Sequence, residues 1–245
     1  MFKQHKVLET NVFFLAVGIL LMIIVGGLVE VVPLFSIEST LEKVDGVRPY
    51  SPLELAGRNI YIREGCYLCH SQMIRPFKDE VERYGHYSLA AESKYDHPFQ
   101  WGSKRSGPDL ARVGGKYTND WHVRHLVNPR DVVPESIMPG YPHLKRPLAY
   151  ATISADLKAL KVTGVPYTDA QIASAKADVE AQVAAESADA PIAASYPKAR
   201  LGKASAGMAG VDQTKVTELD ALVAYLQVLG TMVDFTTVNP ESIRR

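Results

Sequence analysis

Two cysteines and a histidine lie within one short stretch, Cys66-Tyr67-Leu68-Cys69-His70, and no other feature constrains the chain as strongly. Cys-x-x-Cys-His is the pattern of covalent c-type haem attachment. Each cysteine can form a thioether with one haem vinyl group, and the adjacent histidine becomes the proximal ligand of the iron. The motif therefore predicts one covalently bound haem c, attached through Cys66 and Cys69 and ligated by His70.

Other uses of a cysteine pair fit this sequence poorly. A structural zinc site takes four ligands, usually as two close pairs, but the chain contains 2 cysteines in total. A thioredoxin-like dithiol belongs to a βαβ setting, which the surrounding sequence does not predict. A disulfide across so short a spacing would be strained. Haem attachment is therefore the preferred interpretation.

An uncharged apolar run dominates the N-terminal region. Residues 12–29 carry no charge and have about the length that a helix needs to cross a hydrocarbon core. A cleaved signal peptide would usually have a shorter apolar region and a small-x-small cleavage site after it, whereas this chain continues with VVPLF. We therefore expect an uncleaved transmembrane anchor within residues 1–35, followed by a linker over 36–50.

Charges on the two sides of this run predict its orientation. Lys3 and Lys6 precede it, and Glu30, Glu38 and Glu42 are the first charges after it. Since positively charged flanks stay on the cytoplasmic side, we expect a cytoplasmic N-terminus. The remainder would then lie on the periplasmic face of a bacterial inner membrane, which is the face where haem is joined to such motifs.

Two predicted helices frame the outer domain. Residues 51–64 begin with a serine cap and a proline, stop at a glycine, and carry Gly57 where a second helix can approach closely. Residues 217–229 have apolar side chains at helical spacing and stop at Gly230. A terminal helix that crosses the helix before the haem motif is the frame of class I cytochromes c.

The predicted fold is mainly α, with one N-terminal transmembrane helix and a periplasmic class I cytochrome c domain over 51–245 that has long loop insertions. The stretch 71–101 is polar and rich in aromatic residues, and we expect it to be a partner surface. A second insertion, about 145–216, is predicted to contain an alanine-rich helix over 168–185 and a small-residue linker over 188–210. Basic and acidic residues number 27 each, which argues against a nucleic-acid partner.

Further residues are candidates for contacts with the haem. A Gly-Pro-x-Leu segment starts at Gly107, and class I cytochromes c use its proline carbonyl, here that of Pro108, to accept a hydrogen bond from the proximal histidine. Met138 has a proline on each side in VPESIMPG, which could hold its sulfur toward the iron as the sixth ligand. His122 and His125 offer a bis-histidine alternative.

Candidate contacts for the haem propionates are less specific. Trp121 could pack on the haem edge or donate its indole N–H to a propionate. Arg112, Lys116 and Arg124 could neutralise the carboxylates, and the sequence does not rank them. Met138 itself has an alternative role, since methionine often fills gaps in a core.

Long runs of this chain closely resemble the monohaem subunit II of cbb3-type cytochrome c oxidases, which are bacterial haem–copper terminal oxidases. The resemblance covers nearly the whole chain. It rests on the N-terminal anchor and on GRNIY from Gly57, REGCYLCHSQ from Arg63, IRPF from Ile74, YDHPFQWGSKR from Tyr95, GPDLARVGGKY from Gly107, PESIMP from Pro134 and LVAYLQ from Leu222. The alanine-rich stretch from about 170 to 210 is the least distinctive part.

This resemblance implies an electron-transfer role without catalysis by the chain itself. One covalent haem c would carry electrons toward the low-spin haem b of a catalytic haem–copper subunit in aerobic or microaerobic respiration. A dihaem cytochrome c subunit would be the other partner. Oxygen reduction would take place in the catalytic subunit, and the chain lacks the additional cysteine pair that a binuclear copper centre would need in its outer domain.

Three other functions are compatible with the sequence. One is the monohaem anchored subunit of a nitric oxide reductase, and another is a free-standing membrane-anchored cytochrome c. The third is a haem-based gas sensor, which would need an open sixth position on the iron. Ligation by Met138 would exclude the sensor.

Overall fold

The computed structural model describes residues 5–34, 37, 41–102, 104–187 and 189–238. Within these ranges the chain is helical, and its β pairing amounts to an isolated bridge between Pro147 and Thr217. The chain divides into two compact units, one ending at Glu42 and the other starting at Lys43. The predicted mainly α fold is confirmed.

The first unit contains α1 (His5–Thr10) and α2 (Val12–Leu34). α2 has 23 residues and a mean hydropathy of 3.0, and it alone among the described helices is long and apolar enough to cross a membrane. It continues past the uncharged run that ends at Val29 and stops one residue after Pro33, as expected from the lost N–H and the steric clash of a proline. None of its side chains is buried, which fits a membrane anchor.

The second unit contains the remaining helices. They are α3 (Pro52–Arg63), α4 (Lys78–Tyr84), α5 (Asn119–Val127), α6 (Ile153–Val162), α7 (Asp169–Ala184), α8 (Pro191–Ser195) and α9 (Glu218–Val228), with short 3-10 turns at Cys66–Leu68, Ala90–Ser93, Pro129–Asp131 and Pro142–Lys145.

The two predicted framing helices are present and cross at Gly57. A Cβ added to Gly57 would lie 2.0 Å from the Ala221 carbonyl oxygen and 2.8 Å from Cβ of Tyr225, both on α9. Any larger residue would push the helices apart, so the glycine makes this close crossing possible. The interface is apolar, since Leu53 and Leu222 are both almost fully buried.

Local signals define the ends of these two helices. Ser51 caps α3 in a reciprocal pair with Glu54, and Thr217 caps α9 in the same way with Asp220. A glycine in the left-handed region follows each helix, with φ of 71° at both Gly65 and Gly230.

The insertion over 145–216 packs against α3 through α6 and α7. The side chain of Gln182 on α7 is buried, accepts a hydrogen bond of 2.6 Å from the Ser51 hydroxyl and donates one of 2.9 Å to the Arg200 carbonyl. The predicted linker over 188–210 contains the short helix α8 and the buried ring of Tyr196. The stretch is therefore folded against the domain through Ile192 and Tyr196 rather than being an extended connection.

The aromatic-rich stretch over 71–101 is folded onto the domain by ion pairs. Asp96 is buried and accepts a hydrogen bond of 2.9 Å from Arg58 on α3. Burial raises the pKa of Asp96, and the Arg58 charge opposes that rise. Phe77 and Phe99 stay exposed, and the partner-surface role of this stretch stays a prediction.

Candidate haem-binding site

The cysteines and the histidine of the motif lie in a tight turn directly after α3. The backbone N–H groups of Cys69 and His70 both donate to the Cys66 carbonyl, at 3.1 and 3.0 Å. The Tyr61 hydroxyl, on the last turns of α3, donates to the His70 carbonyl at 3.2 Å. Gly65 reverses the chain between the helix and the turn, so α3 determines where the motif lies.

Both cysteines are free thiols in this structure. Cys69 is exposed, and Cys66 is partly buried against the main hydrophobic core. Burial, assisted by the negative charge of Glu64, raises the pKa of the Cys66 thiol to about 12. A catalytic dithiol needs a lowered thiol pKa, so this environment does not favour the thioredoxin-like alternative.

The imidazole of His70 is oriented by two neighbours. Its Nδ1 lies 2.8 Å from the Pro108 carbonyl oxygen, which can only accept, so Nδ1 carries the proton. The ring also packs on the backbone of Gly107, where an added Cβ would lie 2.3 Å from Cε1 of His70. Nε2 is therefore the ring nitrogen left for a metal. We call residues 69–73 and 105–111 the proximal segments.

Met138 lies in a loop whose ends are tied to α5 and the turn after it; we call residues 133–141 the distal loop. The Tyr141 N–H donates to the Leu126 carbonyl at 2.7 Å, and the Val133 N–H donates to the Pro129 carbonyl at 3.0 Å. Met138 is partly buried and packs against the same hydrophobic core as Cys66. A loop of this kind can present a thioether to an iron.

Helix α5 carries a stack of aromatic rings. Trp121 lies between Tyr117 and His125, with ring centroids 4.0 and 4.5 Å apart and interplanar angles of 14° and 12°. Burial lowers the pKa of His122 to about 4. Burial also lowers the pKa of His125, and the nearby His70 adds to that effect.

Two ring nitrogens on α5, His122 Nε2 and His125 Nδ1, are buried without a hydrogen-bond partner in the described part of the chain. Buried polar atoms without a partner are uncommon in proteins and usually mark a missing group. His70 lies near enough to His125 to contribute to the lowered pKa of His125. The His125 nitrogen therefore suits a polar group of a bound haem.

Among the side chains predicted to contact the haem propionates, Trp121 is stacked on other rings and two arginines form ion pairs. The Trp121 ring is stacked between the rings of Tyr117 and His125. Arg112 forms a two-fold ion pair with Glu92, at 2.8 and 2.9 Å, so its charge is already balanced. Arg124 pairs with Asp120 at 3.5 Å. The propionate roles of Trp121 and Arg112 stay predictions.

Sequence reasoning missed three side chains that contact the proximal segments: Ser71, Arg105 and Asp109. The Asp109 carboxylate accepts hydrogen bonds from the Ser71 hydroxyl and from Arg105. Their only sequence signal is position, because Ser71 follows His70 and Asp109 follows Pro108. We call these three side chains the ligand bracket.

Taken together, the chain offers the parts that a c-type haem requires. It has two free thiols in one turn, an imidazole oriented through Nδ1, and a methionine on a separate loop. On α5, His125 Nδ1 is a buried nitrogen without a partner in the described part of the chain. The residues therefore fit the predicted haem.

Comparison with known families agrees with this site. Residues 5–233 match the family model described as cytochrome c oxidase, mono-heme subunit/FixO. No curated protein matches the chain. The matched region includes α2, the haem motif and the distal loop, so it extends over both units. The chain belongs to the mono-haem FixO family of cytochrome c oxidase subunits.

Proposed function

We propose that this chain is the electron-transfer subunit of a cbb3-type oxidase, carrying one haem c bound covalently through Cys66 and Cys69. The observation that carries the proposal is the 2.8 Å hydrogen bond between His70 Nδ1 and the Pro108 carbonyl. This bond fixes the tautomer and makes the imidazole more basic, as expected of a metal ligand. A histidine with no such role would not need a glycine under its ring.

The haem, when bound, supplies one-electron oxidation and reduction. The residues of this chain would hold it in place: Cys66 and Cys69 would tether it, while His70 and Met138 would ligate its iron. Methionine ligation favours a higher reduction potential than bis-histidine ligation, which suits electron flow toward oxygen. The core cluster against Cys66 and Met138 keeps water from the inner side of the site.

The proposed partners follow from family membership and the anchor. Electrons pass to the haem b of the catalytic haem–copper subunit, which reduces oxygen, and a dihaem cytochrome c subunit is the second partner. α2 spans a bacterial inner membrane with the N-terminus in the cytoplasm and the haem domain in the periplasm. The family is one of oxidase subunits, which favours this role over a nitric oxide reductase.

The test is the loss of one ligand in the intact oxidase complex or the full-length chain. Oxidised wild-type protein should show the weak near-infrared charge-transfer band of a sulfur–iron bond, and Met138→Leu should lose it and let the reduced haem bind carbon monoxide. Met208→Leu is the matched control, because Met208 packs against the same core from another loop.

Two outcomes would contradict the proposal at different levels. A charge-transfer band that persists in Met138→Leu would exclude Met138 as the ligand. A purified chain whose mass shows no covalently attached haem would exclude the haem c assignment and, with it, the proposed periplasmic location.

A further inference from the structure

One hydrogen bond of the ligand bracket joins the residue that follows His70 to the residue that follows Pro108. Ser71 adjoins His70, Asp109 adjoins Pro108, and the Ser71 hydroxyl donates to the Asp109 carboxylate. Both side chains are buried. This bond therefore links the two proximal segments, which are also linked by the hydrogen bond between His70 and Pro108.

The Asp109 carboxylate is almost fully engaged with the proximal segments. It accepts a hydrogen bond of 3.0 Å from the Met73 N–H and one of 2.7 Å, on its other oxygen, from the Ala111 N–H. A buried carboxylate with several donors holds its neighbours firmly, since losing any one of them leaves a charge poorly solvated. Asp109 thus fixes the turn that aims the Pro108 carbonyl.

Backbone hydrogen bonds reinforce the same geometry. The Gly107 N–H donates to the Cys69 carbonyl at 3.0 Å, and the Leu110 N–H donates to the Ser71 carbonyl at 2.9 Å. The proximal segments are therefore paired on both sides of His70. A shift of one segment would lengthen the bond to Nδ1 of His70.

Arg105 completes the bracket from the outer side. Its Nε donates to the Ser71 oxygen at 2.7 Å, and one terminal nitrogen donates to the Met73 carbonyl at 2.7 Å. The same nitrogen lies 3.3 Å from Asp109 and 2.8 Å from Glu80. Arg105 therefore balances the buried charge of Asp109 and orients the Ser71 hydroxyl toward it.

We propose that Ser71 and Asp109 are positioning residues for the iron ligand His70, acting by holding the Pro108 carbonyl on Nδ1. The proposal rests on the proposed haem site and deepens it. A well-placed acceptor on Nδ1 raises the basicity of the imidazole, which stabilises oxidised iron. Loosening the bracket therefore raises the reduction potential of the haem.

The decisive variant is Ser71→Ala, which removes the bridging hydroxyl without changing any charge. In the full-length haem-loaded protein it should shift the midpoint potential to a more positive value, measured by redox titration. Hydrogen exchange at the Met73 and Leu110 amides should become faster. Ser71→Thr retains a hydroxyl and should restore both properties toward wild type.

A second pair of variants separates positioning from simple charge. Asp109→Asn and Glu80→Gln each remove one negative partner of Arg105. Glu80 accepts hydrogen bonds from Arg75 and Arg105, and within the described part of the chain none reaches it from the residues beside His70 or Pro108. Positioning predicts a clearly larger positive shift for Asp109→Asn, and it also predicts faster hydrogen exchange at the Leu110 amide in Asp109→Asn but not in Glu80→Gln, which the loss of charge alone does not. Equal shifts in the two variants would overturn the proposal, and this comparison still decides it if Ser71→Ala fails to fold.

The result also distinguishes this inference from the proposed function. Covalent haem ligated by His70 whose potential is unchanged in Ser71→Ala would overturn the positioning role alone. A chain without covalent haem would overturn the proposed function first.

Discussion

His70 and Met138 lie in parts of the protein that are held by different means. The proximal segments are joined by two backbone hydrogen bonds, the buried ligand bracket and the contact between His70 and Gly107. The distal loop is tied at its ends, and the side chain of Ile137, next to Met138, is 82% exposed. The protein therefore organises the histidine side by its own packing, whereas the methionine side would depend more on the proposed bond to the iron.

The two sides are held differently because the proximal segments contain more buried groups than the distal loop does. Regions with few buried contacts open at low free-energy cost, whereas buried networks open only with the surrounding fold. We expect changes on the proximal side to alter ligation and stability together. Changes in the distal loop should alter ligation with little effect on the fold.

The largest contrast should come from adding one methyl group on each side. In Gly107→Ala the new Cβ would lie 2.3 Å from the His70 ring, whereas in Gly140→Ala it would lie 2.7 Å from the Val127 carbonyl oxygen. The ring of His70 cannot move without losing Pro108, so Gly107→Ala should displace the ligand and destabilise the fold by about 1–3 kcal/mol. Pro139 and Gly140 are exposed, so the loop can shift outward there by lengthening the single hydrogen bond from Tyr141 to Leu126, and Gly140→Ala should cost less.

Haem absorption spectra and denaturant unfolding measure both effects. Gly102→Ala is the control, since nothing lies within 4 Å of its added Cβ. Equal losses in Gly107→Ala and Gly140→Ala would show that the distal loop is as rigid as the proximal segments, and the comparison would fail.

The sequence predicted the parts of this site that depend on local signals. The haem motif, the Gly-Pro-x-Leu turn and the capped helices α3 and α9 can each be read from a few adjacent residues. Gly57 also identified the helix crossing correctly, because a glycine on an apolar face has few other uses there. Signals of this kind depend on adjacent residues, so tertiary packing does not alter them.

The remaining features depend on residues that are distant in sequence. Ser71 and Asp109 are 38 positions apart, and nothing in their neighbours predicts that they form a buried bond. Arg112 was a candidate for a propionate contact, but its partner Glu92 lies in a separate loop. The stretch over 188–210 reads as a linker by composition, whereas tertiary packing buries Tyr196 within it.

A smaller contrast should appear as the pH falls. The pKa of His122, on the helix that ties the distal loop, is lowered from 6.5 to about 4 by burial. Below pH 6.5 His122 is protonated in the unfolded chain, but in the folded chain it stays neutral until about pH 4. The free energy of unfolding therefore falls across this window. On the proximal side, the hydrogen bond from Arg105 lowers the pKa of Glu80 from 4.5 to about 2, so its stabilisation is lost only as the pH falls from 4.5 toward 2.

His122→Leu tests whether, as the pH falls, stability is lost through His122 before it is lost through Glu80. At neutral pH the substitution should be nearly neutral, because the lost imidazole has a buried nitrogen without a partner in the described chain. Near pH 5.5 the wild type should have lost about 1 kcal/mol relative to the variant. Thermal unfolding across pH 4–7 measures the difference, and Glu80→Gln should differ from wild type in its pH dependence only at lower pH. Parallel curves for wild type and His122→Leu would contradict the assignment.

The smallest effect should come from the surface of the distal loop. Ile137 is exposed, so Ile137→Ser removes little buried apolar area and should change the free energy of unfolding of the haem-loaded chain by less than about 0.5 kcal/mol. Val162→Ser on α6 is the matched control, because that side chain is 84% exposed. Denaturant unfolding of the two variants should be indistinguishable. A loss in Ile137→Ser clearly beyond that of Val162→Ser would mean that the distal loop closes over its own side chains when the haem is present. Packing would then organise the methionine side as it organises the histidine side. The two sides would differ only in when they become ordered, because the distal loop would do so on haem binding.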